Sequence, residues 1–122
     1  MRIVRIIAAL LLAVPLLLFG GSYFIHPFPL PPANGNLGIE MLQLMRDGHL
    51  SIAVTASHVI IGILLLVPRT RFLAALLQLP MTIGILAFHL TMWPEGAGVA
   101  TVLLILNLLV LADPQRLRAL VS

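Results

Sequence analysis

The residues of this sequence with the chemistry to bind a ligand are mainly histidines set among apolar residues. His58 lies in the middle of a long apolar run, where an ionisable side chain is rare and is by default a functional residue. Imidazole titrates near neutral pH and both donates and accepts hydrogen bonds, so His58 is suited to bind a ligand carbonyl and exchange a proton with it. The alternative is a neutral imidazole that holds helices together through a hydrogen bond to a nearby hydroxyl or amide.

A second group of polar residues recurs at helical spacing in the later apolar runs. Gln78 and Thr82 share one stripe with His89, and Asn107 lies in the last run. Such stripes are typical of the faces on which helices contact one another in lipid. The candidate ligand-binding residues are His58, His89, Gln78, Thr82 and Asn107. Hydrogen bonds between helices are the alternative role for Gln78 and Asn107.

A third polar group is expected at the outer ends of the apolar runs. His49 precedes Arg69 by 20 residues and His89 follows it by 20, so both histidines would lie ~30 Å from this turn. The outer-layer candidates, expected to converge, are His26, His49, His89, Glu95 and Trp93. These residue types suit zinc, iron or haem. No local motif such as His-Glu-x-x-His is present, so we predict no metal site and no intrinsic cofactor.

The composition excludes most classes of protein. Of the 122 residues 61% are hydrophobic and 9% are charged, whereas a soluble domain carries roughly 25% charged residues. The net charge of +3 is not gathered into a basic cluster, which argues against nucleic acid as a partner. The chain has no cysteine, so disulfides and thiolate chemistry are excluded. A Ser/His/Asp hydrolase is not supported, because the serines in the apolar runs have no carboxylate nearby.

Four apolar runs are long enough to cross a bilayer, which needs ~17 to 25 residues. The sequence therefore predicts an all-α membrane protein, a single domain over residues 1–122, built as a four-transmembrane-helix bundle in contact with the lipid bilayer. The predicted spans cover about 6–25, 50–67, 72–92 and 96–112. The first run also fits a cleaved signal peptide, with arginines before it and small residues at 20–22. Because this run is long for a signal, we predict a retained span.

The segment between the first two runs has its own pattern. Closely spaced prolines at 27–32 exclude a helix there, and an amphipathic pattern follows over about 36–48. Leu37, Met41 and Leu44 share one face, opposite acidic and amide residues. We predict a short amphipathic helix on the outer leaflet, with an ordered loop that caps the bundle as the alternative.

The arginines predict the orientation of the chain. Six of the seven fall before the first run, between the second and third, and after the fourth; only Arg46 lies in an outer segment. The positive-inside rule then places the N and C termini in the cytoplasm.

Short motifs accompany the later runs. They are Val67-Pro68-Arg69, Leu76-Leu77-Gln78-Leu79-Pro80, Phe88-His89-Leu90 and Pro94-Glu95-Gly96. With Tyr23-Phe24 and the prolines that follow, they resemble the DoxX-like family of four-span membrane proteins over nearly the whole chain. The resemblance implies a bundle in the bacterial inner (plasma) membrane, often a quinone-linked oxidoreductase subunit. Where many relatives carry a glutamate before the second-span glycine, this chain has His58, which keeps a titratable group but changes its charge.

These patterns lead to two hypotheses about function. The first is a quinone- or lipid-contacting subunit of a membrane redox assembly, with quinone as the expected ligand at His58 or His89. No haem, flavin or thiol motif is present, so electrons would come from a membrane or periplasmic redox partner, and the chain would not be a complete enzyme alone. The alternative is a non-catalytic scaffold or chaperone for another membrane protein. Solute transport is weaker, because a four-span unit offers no two-state repeat.

Overall fold

A computed structural model of the chain describes residues 2–26 and 29–121. These residues form α-helices and one 3₁₀ turn, Pro94–Gly96, with no β-strand in either described range. The helices are α1 (Arg2–Ile25), α2 (Leu37–Asp47), α3 (Leu50–Leu66), α4 (Arg71–Thr91), α5 (Ala97–Leu111) and α6 (Pro114–Ala119). The predicted all-α class is confirmed for this part of the chain. The predicted proline segment includes Pro27 and Phe28, which lie outside the described residues.

In the described parts of the chain, three helical segments are long and apolar enough to cross a membrane: α1, α4, and the 3₁₀ turn together with α5. The helices α2 and α3 meet at an angle of 93°. They add a fourth candidate span only if the two are counted as one broken span. The break lies at Gly48 and His49, where His49 adopts a left-handed backbone conformation with φ of 64°. The 17 residues of α3 alone would extend ~25 Å.

The four long helices pack in a closed arrangement. α1 contacts α3 and α5, and α4 contacts the same two helices from the other side. Small residues make this close packing possible, as the stripe in the first run predicted: Ala9 and Ala13 have no exposed surface, and Gly20 is buried. On α4 the buried face includes Ala74 and Ala75.

The helix α2 packs on α3 and confirms the short helix predicted over 36–48. It begins where the Asn36 side chain accepts a hydrogen bond from the Ile39 backbone at 3.1 Å, an N-cap that satisfies one free amide of the first turn. Gly38 and Ile39 are buried against the bundle. Its remaining apolar face is exposed: Leu37, Met41 and Leu44.

Arginines form hydrogen bonds at the end of the bundle that lies away from α2. Arg71 donates from Nε to the Leu65 carbonyl at 2.8 Å and from Nη2 to the Leu66 carbonyl at 3.2 Å. Arg5 donates to the carbonyl of Ala112 at 3.3 Å. These bonds satisfy carbonyl groups that the ends of α3 and α5 leave without a helical partner. The start of α1, the turn between α3 and α4, and α6 therefore meet at one end of the molecule.

Candidate functional site

A cavity of about 260 Å³ lies between α1, α2 and α3, and His58 is one of its lining residues. Phe19 and Tyr23 of α1 form one wall. Leu42 and Met45 of α2 form another. The remaining lining residues are Leu30, Arg46, Ser51, Val54 and Thr55. We call this cavity the His58 pocket.

Two local features of the sequence create the His58 pocket. Gly20 lets α1 approach α3 closely, because a Cβ there would lie 2.9 Å from the Thr55 carbonyl oxygen and 3.2 Å from the His58 Cβ. The left-handed residue His49 turns α2 by 93° relative to α3, so α2 crosses the end of α3 instead of extending it. The pocket is the space that remains below this crossing helix.

The His58 side chain is half-buried, and its Nε2 atom is completely buried. Within residues 2–26 and 29–121, no hydrogen-bond partner reaches this atom. A buried polar group without a partner costs about 1–3 kcal/mol. The pocket that His58 lines is mostly apolar, so a ligand whose hydrogen-bonding group reached Nε2 would satisfy it in a place where water is disfavoured.

The hydroxyl groups of Thr55 and Ser57 on α3 do not form a hydrogen bond with His58 Nε2. Thr55 donates to the carbonyl of Ser51 at 2.6 Å, and Ser57 donates to the carbonyl of Ala53 at 2.8 Å. Both hydroxyls thus turn back onto their own helix, as is common for such residues in apolar surroundings. The alternative role for His58 was a neutral imidazole that holds two helices together through a hydrogen bond. In the described chain, Nε2 makes no hydrogen bond of this kind.

Arg46 brings a positive charge to the part of the pocket formed by α2. Its guanidinium carbon lies 5.9 Å from the centre of the Tyr23 ring, within cation–π range. Tyr23, Arg46 and the α2 residues were not among the site candidates that the sequence predicted. The one available signal was that Arg46 stands apart from the other six arginines in the sequence.

Gln78, Thr82 and Asn107 form a separate, buried cluster between α4 and α5. Gln78 Nε2 donates to Thr82 Oγ1 at 3.2 Å, and Thr82 Oγ1 donates to Asn107 Oδ1 at 2.8 Å. Asn107 Nδ2 then donates to the carbonyl of Ala75 at 2.9 Å. None of the three lines the His58 pocket. Asn107 therefore bonds across the contact between α4 and α5, the alternative role expected for it. The described bond of Gln78 stays within α4, and its buried Oε1 has no partner among the described residues.

His89 stabilises the turn after α4. Its Nδ1 lies 3.1 Å from the Trp93 carbonyl oxygen, and because a carbonyl only accepts, Nδ1 carries the proton and donates it. The imidazole packs so closely on Gly96 that a Cβ at that position would overlap the ring. Trp93 in turn contacts α2, since a Cβ on Gly38 would lie 2.8 Å from the Trp93 Cβ. His89 and Trp93 therefore join α4, the 3₁₀ turn and α2.

The other outer-layer candidates are exposed. His26 lies at the bend after α1, His49 precedes α3, and Glu95 lies in the 3₁₀ turn. In the described part of the chain, no three histidine, aspartate or glutamate side chains are grouped so as to hold a metal ion. Of the expected outer set, the contacts described join His89 with Trp93 alone, whose ring centres are 6.0 Å apart.

The residues that the structure brings to one place are thus His58 and its apolar and aromatic neighbours. An apolar cavity lined by a histidine whose buried Nε2 has no partner among the described residues is suited to a small, mainly apolar ligand with a hydrogen-bonding group. No family model, curated protein or solved structure matches the chain, so the resemblance to the DoxX-like family stays a prediction.

Proposed function

We propose that this chain is a four-span membrane protein whose His58 pocket holds the ring of a lipid-soluble quinone, as a subunit of a membrane redox assembly. The observation that carries the proposal is that His58 lines an apolar cavity while its buried Nε2 has no partner among the described residues. The DoxX-like motifs of the sequence favour the same function.

The topology that we propose has four spans in a bacterial inner membrane, with both termini in the cytoplasm. Among the described residues, three segments meet the length and hydropathy needed for a span, and in the proposed topology the bent α2–α3 pair would supply the fourth crossing. The lipid-facing surface would be the many large apolar side chains that are exposed on α1, α4 and α5, such as Leu18, Leu77 and Val102. The arginine-rich end of the bundle would face the cytoplasm.

The His58 pocket fits the headgroup of such a ligand. Its volume of about 260 Å³ is close to the lower end of the ~300–1,000 Å³ range of small-molecule sites. It therefore suits one substituted ring, with an isoprenoid tail lying outside in the bilayer. Phe19 and Tyr23 offer aromatic surface for the ring, and Leu42 and Val54 help to exclude water. A bound quinone supplies reversible two-electron, two-proton chemistry.

His58 would orient the ring and hold a proton at its edge. As an imidazolium, His58 donates its Nε2 proton to a ring carbonyl; after this transfer the remaining proton lies on Nδ1, and the neutral Nε2 accepts from the resulting hydroxyl. The membrane or periplasmic redox partner would exchange the electrons. Arg46, next to Tyr23, adds a positive charge to the pocket. This charge favours a quinone ring that is more electron-rich and negatively polarised.

The proposal is tested by quinone-dependent stability of the purified full chain in phosphatidylcholine nanodiscs. Short-tailed benzoquinone and naphthoquinone analogues should raise the melting temperature of the wild type, because a ligand at 100 times its Kd stabilises the folded state by about 2.7 kcal/mol. His58→Asn should abolish the shift and His89→Asn should retain it. A wild type without a shift, or an equal shift in His58→Asn, would contradict the proposal.

A second function, the scaffold or chaperone for another membrane protein, is favoured by the exposed apolar face of α2. Leu37 and Leu44 are 59% and 71% exposed although they belong to a helix that packs on the bundle with its other face. The double variant His58→Asn, His89→Asn separates the two functions. A scaffold would keep its full cellular activity in this variant, whereas a quinone-binding subunit would lose it while remaining folded.

A further inference from the structure

We propose that a second cavity, at the arginine-rich end of the bundle, binds the phosphate group of an anionic phospholipid. This cavity has a volume of about 260 Å³ and lies between the start of α1, the start of α4, and α6. Its charged lining residues in the described chain are Arg2, Arg5, Arg71, Arg116 and Asp113. The proposal depends on the helices spanning a bilayer, but not on quinone binding at His58.

The charges of this arginine cavity are unbalanced. Asp113 Oδ2 lies 3.9 Å from Arg5 Nη2 and 3.7 Å from Arg116 Nε, so one carboxylate is shared by two guanidinium groups. Its other oxygen accepts the Arg116 backbone N–H at 3.4 Å and caps α6. Among the described lining residues, four guanidinium groups therefore face a single carboxylate. Such an excess of positive charge in a confined space attracts an anion.

Two of the arginines are already held in place by the fold. Arg5 is anchored to the Ala112 carbonyl, and Arg71 to the carbonyls of Leu65 and Leu66. A guanidinium has five N–H donors, so Arg71, which uses Nε and Nη2 for these bonds, keeps further N–H groups for a ligand. Because the anchoring bonds already hold these side chains in position, ordering them on binding an anion would cost little conformational entropy. Arginine is also well suited to two-point hydrogen bonds with phosphate oxygens.

The surroundings favour a lipid over a soluble anion. Ile6 and Phe72 are part of the cavity lining, so the charged groups lie directly beside apolar side chains. Ile3 and Ile7, on the same turns of α1, are 71% and 51% exposed. Acyl chains could lie on this apolar surface while the phosphate enters the cavity. Basic cavities between membrane helices at the cytoplasmic surface are a known kind of site for anionic headgroups.

The test is native mass spectrometry of the full chain in detergent, titrated with phosphatidylglycerol, phosphatidylcholine or inorganic phosphate. We expect one phosphatidylglycerol to bind at least tenfold more tightly than phosphatidylcholine, without competition from millimolar phosphate. Arg2→Gln with Arg116→Gln should weaken phosphatidylglycerol binding by about 25-fold, since each arginine contact is worth about fivefold. Both side chains are exposed, so the fold should be kept, and circular dichroism checks this.

The matched control removes two other arginines from the same end of the molecule. Arg69→Gln with Arg118→Gln makes the same change in net charge, but neither residue lines the cavity. This control should bind phosphatidylglycerol within about threefold of the wild type. Equal losses in both double variants would overturn the proposal, because only general attraction would then be at work. Displacement of the lipid by inorganic phosphate would also overturn it, since the site would be one for a soluble anion.

Discussion

Gly20 of α1 lies directly against His58 of α3: a Cβ atom at position 20 would be 3.2 Å from the His58 Cβ and 2.9 Å from the carbonyl oxygen of Thr55. The two helices therefore pack closely at the level of the candidate ligand-binding histidine. Phe19 of α1, next to Gly20 in the chain, is in this way brought to the wall of the His58 pocket.

Gly20→Ala should destabilise the protein. The added methyl group meets a backbone atom that cannot rotate away, so α1 and α3 must separate, at a cost of about 1–3 kcal/mol. Gly21→Ala is the control, because a Cβ there has no described neighbour within 4 Å. Thermal unfolding in detergent should show a lower melting temperature for Gly20→Ala and an unchanged or higher one for Gly21→Ala. Equal melting temperatures would mean that the helices are farther apart than described.

The hydrogen bond between Thr82 and Asn107 should couple α4 to α5. A double-mutant cycle with Thr82→Val and Asn107→Ala should give an interaction energy of about 0.6–1.7 kcal/mol, the range for such bonds inside membrane proteins. Thr101→Val is the control, since this hydroxyl is exposed and its bond among the described residues is to the Ala97 carbonyl of its own helix. Its effect on the unfolding free energy should stay within about 0.5 kcal/mol. Additive effects of the first two substitutions would contradict the described bond.

Gly96→Ala should displace the His89 ring and weaken the turn that follows α4. The methyl group would occupy the place of the imidazole, so the bond from His89 to Trp93 would be lost. We expect a loss of about 1–3 kcal/mol in unfolding free energy, with quinone affinity unchanged. Gly98→Ala, where a Cβ has no described neighbour within 4 Å, should be neutral or slightly stabilising. A Gly96→Ala variant with normal stability but weaker quinone binding would instead make His89 a ligand-contacting residue.

The absence of cysteine allows a direct test of topology. A single cysteine at Pro31, in the segment before α2, should react with a membrane-impermeant maleimide from outside the cytoplasmic membrane. A single cysteine at Arg69, in the turn between α3 and α4, should react only from the cytoplasmic side. Both positions are exposed, so reactivity depends on the side of the membrane rather than on burial. Labelling of both from the same side would rule out the four-span topology.

The helices and their contact faces could largely be predicted from the sequence, because apolar length and the spacing of small residues determine them. Ala9, Ala13 and Gly20 recur on one stripe and are buried as expected. Asn107, a polar residue in an apolar run, had to find a partner and does so across the contact with α4.

The position of α2 could not be predicted, because it depends on one backbone conformation. The left-handed φ at His49 sets the 93° angle, and nothing in the residue type requires it. For that reason, the sequence did not predict that residues of α2 line the His58 pocket. Likewise, matching distances from Arg69 suggested that His49 and His89 lie in one layer, but chain distance does not show where a side chain points. His89 turns onto Gly96, and His49 stays exposed.

The most direct test of the central claim is photolabelling of the full chain in nanodiscs with an azidoquinone, followed by mass spectrometry of the labelled peptides. We predict label on the residues around the pocket, such as Tyr23, Met45 and His58, with loss of this label when excess unlabelled quinone is present. Label confined to the exposed faces of α4 and α5, or label at the pocket that unlabelled quinone fails to reduce, would contradict a quinone site at His58.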